Sequence, residues 1–366
     1  MTNAEKTDGR QTDGRRRGAL PRRRRSPISV AFVVRRFLAT VVLCLAVTFV
    51  VFLLSNVIPA DPASANLGDA ARSDPEAVAA FRAKYHLDDG LLTQYGEFLQ
   101  RLAHGDLGTS IQTQQPVLSD LADRAPATAE LAIAAVFMAV LVGVPLGMVS
   151  ALKRDRPADH LLRTVSLTGM SVPAFWLGLL ALQLFYYRLG WVPGGGRLPV
   201  GGEPPPSVTG MYTLDALLTG RLGTFTDAVH HLILPALILA TPGIALLTRF
   251  TRAAVLDVIS EDYVRAATAK GLKRSTVLRR YVLRGATPLV ITVSGLALAN
   301  VFVASVLVEQ VFSWSGLGSY AYQSAVRLDF PAVMGACLCI TLVYVTINLV
   351  VDVLYGVVDP RIRVGS

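Results

Sequence analysis

The chain has 366 residues, of which 52% are hydrophobic and 17% are charged, and its formal net charge is +9. This apolar fraction exceeds what one soluble core can bury, and it is concentrated in runs of about 20 residues, each long enough to cross a hydrocarbon layer of about 30 Å. The composition therefore excludes an ordinary soluble enzyme and predicts an all-α, polytopic membrane protein.

The N-terminal residues 1–29 are polar and basic. The chain through Arg36 has 11 basic and 3 acidic residues, which accounts for most of the net charge. Such a segment cannot bury enough apolar surface to fold, so we predict a disordered cytoplasmic tail. Because it precedes a membrane anchor, we expect it to contact anionic membrane lipid and not nucleic acid.

The first apolar run covers residues 37–58 and follows Arg35 and Arg36 directly. It predicts a first transmembrane helix within residues 30–58. A twin-arginine export signal is the alternative, since two arginines precede the run. However, 22 apolar residues are long for the core of a signal peptide, and no cleavage site of small residues is obvious. We therefore expect an uncleaved anchor.

Residues 59–127 are polar, with a helix-like stretch over residues 75–103, and are expected to form a small external loop domain. Further apolar runs then predict a transmembrane core over residues 128–363. These runs cover residues 129–152, 164–187, 228–248, 288–311 and 331–355. The predicted fold is thus a bundle of about six transmembrane helices.

The distribution of lysine and arginine predicts the orientation of these helices. If both termini are cytoplasmic, the inside segments hold 26 basic residues in 94 positions, whereas the outside segments hold 9 in 133. Basic residues are enriched in cytoplasmic loops of membrane proteins. We therefore expect a multi-pass membrane protein with both termini in the cytoplasm.

No catalytic or metal site is expected in the chain. The three cysteines lie within apolar runs, and the five histidines show no metal-ligand spacing. No stretch matches the glycine-rich loop that holds nucleotide phosphates. We therefore predict that the chain is not an enzyme, has no cofactor of its own and does not hydrolyse ATP alone.

The largest cytoplasmic loop contains the most informative segment, residues 260–271. Ser260 suits the N-cap of a short helix, Glu261 complements the positive end of its dipole, and Gly271 suits a left-handed C′ position. A second short helix is expected from Ser275. The small residues of the first helix, which would allow close approach by another protein, are Ala266, Ala267 and Ala269.

Ala266 and Ala267, followed after three residues by Gly271, resemble the core of the EAA loop of permease subunits of binding-protein-dependent ABC importers. Arg265 stands where that motif has glutamate, as is common in the dipeptide and oligopeptide branch, and Pro288 lies near the usual proline. Further segments resemble that branch and occur in its order. They are GDLGTS at 105–110, SVPAFWLG at 171–178, LGWVP at 189–193, WSGLG at 314–318 and DPRIR at 359–363.

The resemblance implies the type I ABC importer permease fold, a place in the bacterial inner membrane, and a function as half of the translocation pathway of an ATP-driven importer of di- or oligopeptides. It also implies partners: a second homologous permease subunit, two ATPase subunits that bind ATP and Mg²⁺, and an extracytoplasmic substrate-binding protein. The loop 249–287 would dock on an ATPase subunit, unless its helix lies on the lipid headgroups. The residues expected to make this coupling contact are Glu261, Arg265, Ala266, Ala267 and Gly271.

Other functions remain as alternatives. Nickel and glutathione importers share these motifs, so the cargo stays open. An ion-driven secondary transporter should show inverted repeats and intramembrane charge pairs, and a membrane-embedded enzyme should show a nucleophile, base or metal ligands at membrane depth. The sequence shows neither pattern. The importer permease is therefore the leading hypothesis.

Polar and kink-forming positions within the apolar runs are the candidates for the translocation pathway. Glu309 precedes the WSGLG turn and could line or close an outer gate, or it could snorkel to the membrane surface, since its run ends nearby. Pro173 could kink its span and free carbonyls to line a cavity. The remaining candidates for the pathway or gate are Phe175, Trp314, Gly316 and Gly318.

Overall fold

A computed structural model of the chain describes residues 30–57, 74–84 and 89–358, which are largely helical. The helices are α1 (Val30–Val57), α2 (Pro75–Lys84), α3 (Leu91–Ala103), α4 (Val117–Leu152), α5 (Pro157–Ser171), α6 (Ala174–Arg188), α7 (Tyr212–Leu218), α8 (Leu222–Ile259), α9 (Asp262–Ala269), α10 (Arg274–Val311), α11 (Leu317–Val326) and α12 (Phe330–Val358). These residues form no β-sheet, and the expected all-α class is confirmed.

In the described part of the chain, five helices are long and apolar enough to cross a membrane, namely α1, α4, α8, α10 and α12. Helices α5 and α6 pass the same test only together, and they are bent by 102° at their junction. The polytopic membrane architecture is thus confirmed, with the bent pair as the sixth candidate span.

The bent pair replaces the single straight span that the sequence predicts over residues 164–187. The break falls at Val172, which is extended (φ −92°, ψ 127°), and at Pro173, which precedes the first residue of α6. Proline lacks an N–H and disfavours helical conformation in the residue before it. The proline therefore ends one helix and positions the next, instead of only kinking a continuous one.

Helix α4 begins at Val117, so the predicted border between the loop domain and the core at residue 127 lies inside this helix. Two prolines, Pro126 and Pro145, are accommodated within α4. The predictions for the basic tail and for the DPRIR segment at 359–363 lie outside the described residues.

The external helix α3 packs against α1. The Tyr95 hydroxyl donates a hydrogen bond of 3.1 Å to the Leu45 carbonyl, and the Tyr95 ring lies 5.3 Å from the ring of Phe52. Residues up to Val41 form a separate unit, of which the start of α1 is described. The segment expected to form a loop domain therefore contains two helices, α2 and α3, of which α3 is attached to the first span.

Helix α8 lies at the centre of the core and packs against α4 and α10. Gly143 and Gly147 of α4 face α8, and a Cβ on Gly147 would lie 2.7 Å from the Thr248 carbonyl oxygen. The Thr248 hydroxyl donates a hydrogen bond of 3.3 Å to the Gly143 carbonyl. Because small residues allow membrane helices to approach closely, α4 and α8 form one tightly packed pair.

Candidate functional site

The helix at the centre of the expected coupling loop is α9. Its N-cap is Glu261, in an extended conformation (φ −69°, ψ 145°), and not Ser260. The Ser260 hydroxyl instead donates a hydrogen bond of 2.7 Å to the Asp257 carbonyl in the last turn of α8. The predicted Ser260 cap is therefore wrong, because Ser260 completes the preceding helix. Asp262 lies in the first turn of α9, where its charge complements the helix dipole.

The C-terminal end of α9 has the left-handed glycine that the sequence predicts. Gly271 is left-handed, with φ +74°, and its N–H donates a hydrogen bond of 3.0 Å to the Thr268 carbonyl. A Cβ at Gly271 would meet no atom within 4 Å, so the glycine is favoured by its backbone conformation and not by lack of space.

The second short helix predicted from Ser275 is not a separate element. Helix α10 begins at Arg274, passes through a π-helical stretch at Leu278–Val282 and continues into the membrane span up to Val311. The sequence shows a polar segment before an apolar one, but nothing in it ends the helix between the two. The coupling helix is thus linked by four residues to a single long helix.

The two alanines at the centre of α9 face in different directions. Ala267 is 4% exposed and packs, together with Val264, in one cluster with Val277 and Val282 of α10. Ala266 is exposed. Because residues three apart share a helix face, Val264 and Ala267 attach α9 to its own chain. Of the two alanines, Ala266 lies where another protein can reach it.

The exposed face of α9 carries Arg265, Ala266 and Ala269. Arg265 forms an exposed ion pair of 2.5 Å with Asp262, one turn earlier, and such surface pairs contribute at most about 1 kcal/mol. Beside the packed contact of α9 with α10, a cleft of about 660 Å³ opens between α9 and the start of α10. Its lining is mostly apolar and includes Arg265 and Arg274. The chain therefore presents an open, largely unpaired surface at α9, where the sequence predicts the coupling contact.

At the other end of α10, Glu309 is completely buried. Its carboxylate accepts hydrogen bonds from the Thr128 hydroxyl (2.7 Å) and from the Ser319 N–H (2.8 Å). The Thr128 hydroxyl oxygen accepts a hydrogen bond of 2.8 Å from the Leu317 N–H. Glu309 thus joins α10 to α4 and to the start of α11, and it does not reach the surface of the chain.

The WSGLG turn fits closely around this carboxylate. A Cβ on Gly316 would lie 2.6 Å from Glu309 Oε2, and one on Gly318 would lie 2.6 Å from the backbone of α10. Trp314 is 1% exposed, and its indole N–H donates a hydrogen bond of 2.9 Å to the Ala127 carbonyl. The structure therefore brings together four of the residues that the sequence proposes for the pathway or gate.

The other two proposed residues lie at the start of α6. The Pro173 carbonyl accepts a hydrogen bond of 3.1 Å from the Trp176 N–H, and Phe175 is exposed. One turn further along, a Cβ on Gly178 would lie 3.2 Å from the ring of Phe312, just before Trp314. Helix α6 thus contacts the segment that leads into the WSGLG turn, while Phe175 stays on the surface of the chain.

A second buried carboxylate, Glu130, lies near Trp314, and sequence reasoning missed its partner. Glu130 forms an ion pair of 2.7 Å with Arg197, and both side chains are at most 9% exposed. Glu130 also accepts hydrogen bonds from the N–H and hydroxyl of Thr213, and the Arg197 guanidinium lies 3.5 Å from the ring centroid of Tyr212. No local pattern links these residues. The signal for this pair in the sequence was a single arginine within a Gly- and Pro-rich loop.

A similar pair was missed at the opposite end of α4. The Asp159 carboxylate is buried and accepts hydrogen bonds of 2.8 Å from two nitrogens of Arg252 and one from the Ser150 hydroxyl. Because Asp159 and Arg252 lie 93 positions apart, only the folded chain reveals their contact. The pair joins α5 to α8.

Asn300 is a further residue that sequence reasoning missed. It lies in the middle of α10 and is exposed on the surface of the chain, in one stripe with Leu296, Val303 and Leu307. Polar side chains in membrane helices usually meet polar partners on other helices. The signal available in the sequence was a single amide at the centre of an apolar run.

Comparisons with known proteins agree with the resemblance. Residues 143–364 match the family described as binding-protein-dependent transport system inner membrane component, and residues 29–132 match the N-terminal part of such membrane components. The probable D,D-dipeptide transport system permease protein DdpB of Escherichia coli K12 is 47% identical, over 87% of this chain and 94% of that protein.

Two further relatives cover the chain to a similar extent. The di/tripeptide transport system permease protein DppB of Pseudomonas aeruginosa is 40% identical, over 91% of this chain and 99% of that protein. The dipeptide transport system permease protein DppB of Escherichia coli K12 is 37% identical, over 91% of this chain and 98% of that protein.

A solved chain of the MetNI methionine ABC transporter is 16% identical, with a TM-score of 0.45, over 64% of this chain and 93% of that chain. The family match and the three relatives show that the chain belongs to the family of inner membrane components of binding-protein-dependent transport systems.

Proposed function

We propose that this chain forms half of the translocation pathway of an ATP-driven importer of di- or oligopeptides. The relatives support this cargo, since they are named as a probable D,D-dipeptide, a di/tripeptide and a dipeptide transport system permease. These relatives cover at least 87% of the chain, so the similarity is not confined to one segment.

The proposed complex contains a second homologous permease subunit, two ATPase subunits and an extracytoplasmic binding protein. The observation that carries this proposal is the exposed face of α9, where Arg265, Ala266 and Ala269 have no packing partner that buries them within the described part of the chain. Flat surfaces of small residues allow another backbone to approach closely. We assign ATP and Mg²⁺ to the ATPase subunits, since this sequence has no phosphate-binding loop.

Coupling is proposed to pass from α9 to α10. Val264 and Ala267 pack with Val277 and Val282, so a partner that displaces α9 also displaces the start of α10. Buried contacts of this kind are close-packed and transmit displacement. Glu261 and Gly271 set the two ends of α9 and thereby the direction in which its exposed face points.

The outer gate is proposed to be the WSGLG turn held by Glu309. The buried carboxylate fixes this turn to α4 and α10, and the contact of α6 with Phe312 links the turn to the break at Pro173. In this proposal Phe175 lies on the pathway side of α6, and Trp314, Gly316 and Gly318 keep the turn closed.

The decisive experiment is ATP-dependent uptake by the reconstituted complex. We expect radiolabelled dipeptide to accumulate, with an L,L-dipeptide and a D,D-dipeptide compared directly. Labelled nickel and labelled glutathione are tested as alternative cargos in the same assay. ATP-dependent accumulation of either one, with no peptide accumulation, would overturn the proposed cargo but not the family assignment.

Ala266→Arg tests the docking face of α9. Because Ala266 is exposed, the variant should fold and insert normally, yet its charge and bulk should release the ATPase subunits during purification. Ala80→Arg, on the exposed surface of the external helix α2, is the matched control and should retain them. Normal copurification and uptake in Ala266→Arg would remove the coupling role from this face.

The proposed orientation predicts which side of the membrane each loop occupies. In a chain without its own cysteines, Thr93→Cys in α3 should react with an impermeant maleimide added to intact cells. Ser275→Cys in the cytoplasmic loop should react only after lysis. The reverse labelling pattern would place both termini outside.

A further inference from the structure

A cleft of about 320 Å³ lies between the coupling helix α9 and the first turns of α10. It is separate from the larger cleft on the other side of α9, with which it shares no lining residue. Its lining residues are Tyr263, Arg280, Tyr281, Arg284 and Gly285.

The cleft carries two positive charges that the described part of the chain leaves unpaired. Arg280 and Arg284 are four residues apart on α10, so they share one face of the helix, and both are exposed. Neither forms an ion pair with a described carboxylate, in contrast to Arg197 and Arg252, which are held by buried carboxylates. Two free guanidinium groups one turn apart are suited to a phosphate group, which accepts hydrogen bonds from several donors.

The floor of the cleft depends on a glycine. A Cβ on Gly285 would lie 2.7 Å from the Tyr263 hydroxyl oxygen, so the missing side chain lets the Tyr263 hydroxyl lie directly against α10. The Tyr263 hydroxyl forms no hydrogen bond with a described residue and lines the cleft as a further donor. This tyrosine belongs to α9, so any ligand in the cleft bridges the coupling helix and the span.

The position of the cleft along α10 points to the membrane surface. Arg284 is the last basic residue before the apolar part of the span, and Ile291, two turns further on and on the same face of the helix, is exposed. Basic side chains just outside a span meet the phosphates of the cytoplasmic leaflet, and tyrosine is enriched at the same level. The apolar surface below Arg284 can receive the acyl chains that a free phosphate lacks.

We propose that this cleft binds the headgroup of an anionic phospholipid of the cytoplasmic leaflet. The phosphate lies between Arg280 and Arg284, the Tyr263 hydroxyl donates a hydrogen bond to it, and the acyl chains follow the apolar surface at Ile291. The bound lipid holds α9 against the base of α10. Binding itself is independent of the transport function, whereas its effect on coupling rests on the function proposed above.

The test uses the assembled transporter in lipid discs of phosphatidylcholine, with or without phosphatidylglycerol, and measures retained lipid by native mass spectrometry. We expect the wild type to retain phosphatidylglycerol selectively. The double variant Arg280→Gln/Arg284→Gln should retain it about 30-fold less, since each cation near an anionic surface contributes about 1 kcal/mol. The control Lys273→Gln/Arg279→Gln removes the same charge outside the cleft and should retain lipid like the wild type.

Three outcomes would overturn the proposal. Equal loss of lipid in both double variants would show a diffuse charge effect and no site. Equally tight binding of inorganic phosphate would assign the cleft to a soluble anion. Release of the ATPase subunits from Arg280→Gln/Arg284→Gln in both disc compositions would assign the surface to a protein partner. Lipid retention is measured independently of uptake, so failure of the transport proposal would not be mistaken for failure of the site.

Discussion

The two ends of α10 are built in opposite ways, and we name the Glu309 end outer and the Arg274 end inner after the orientation proposed above. At the outer end, the Glu309 carboxylate is buried and its hydrogen-bonding groups are satisfied by the chain itself. At the inner end, the arginines are exposed, two clefts flank α9, and that helix is held by an apolar cluster and by the contact of Tyr263 with Gly285. The difference indicates that the outer end is completed within one chain, whereas the inner end is shaped to be completed by something else.

This contrast has an energetic basis. A buried polar group left without its partner costs about 1–3 kcal/mol, and a buried charge left unpaired costs more. Substitutions at the outer end should therefore act on folding. Substitutions on exposed surface usually change stability by about 0.5 kcal/mol or less, so those at the inner end should act on binding. The following variants test this division.

The largest loss of stability is expected for Arg197→Met. It leaves the buried Glu130 carboxylate without its cation, which should cost about 3–5 kcal/mol. Thermal unfolding of the purified chain in detergent measures the effect. Arg188→Met, at the exposed end of α6, is the matched control and should unfold like the wild type. Equal melting temperatures for the two variants would show that the outer end is not held by this pair.

An intermediate loss is expected for Gly318→Ala, with Gly285→Ala as its counterpart at the inner end. The new methyl group at residue 318 would lie 2.6 Å from the backbone of α10, whereas at residue 285 it would meet the ends of the Tyr263 and Val258 side chains. Side-chain ends can move and a packed backbone cannot. We therefore expect about 1–3 kcal/mol for Gly318→Ala and clearly less for Gly285→Ala in the same unfolding assay. The reverse order would contradict the comparison.

The smallest loss is expected for Asp215→Asn, near the start of α7. Burial raises the pKa of Asp215, but hydrogen bonds from Thr209, Val208 and Gly210 outweigh it, so that the pKa lies below its ordinary value. A lowered pKa in the folded state means that the carboxylate stabilises the fold above about pH 4 and that this stability is lost as the pH falls further.

We therefore expect Asp215→Asn to unfold with about 1 kcal/mol less stability at neutral pH, and the difference from the wild type should shrink in acid. Asp227→Asn, at an exposed carboxyl group of α8, is the control. A difference that grows as the pH falls would contradict the assigned hydrogen bonds.

Much of the fold could be predicted from the sequence because its signals are local. Apolar runs long enough to cross a membrane located the spans, and the conformational preference of glycine located the left-handed end of α9 at Gly271. The identity of the family was also accessible, since short motifs occur in a fixed order along the chain.

The sequence could not predict which face of a helix turns inward. Ala266 and Ala267 are indistinguishable in the EAA-like motif, yet only the second is packed in the cluster around Val282. The surroundings of Glu309 were also hidden, because its partner Thr128 lies 181 positions away. From the sequence, an acidic residue near the end of an apolar run is expected to reach water. Only the folded chain shows that α4 and α11 enclose the Glu309 carboxylate.

Helix α10 extends without interruption from Arg274 to Val311, and 38 residues at 1.5 Å each give a rod of about 57 Å. Its π-helical stretch and Pro288 both lie toward its N-terminal end, which is where a helix of this kind bends most easily. The remaining length is stiff, and Glu309 fixes its far end to α4 and α11. A tilt of α10 therefore pivots near Glu309, so that a molecule bound beside the N-terminal end restrains the part of the helix that moves farthest.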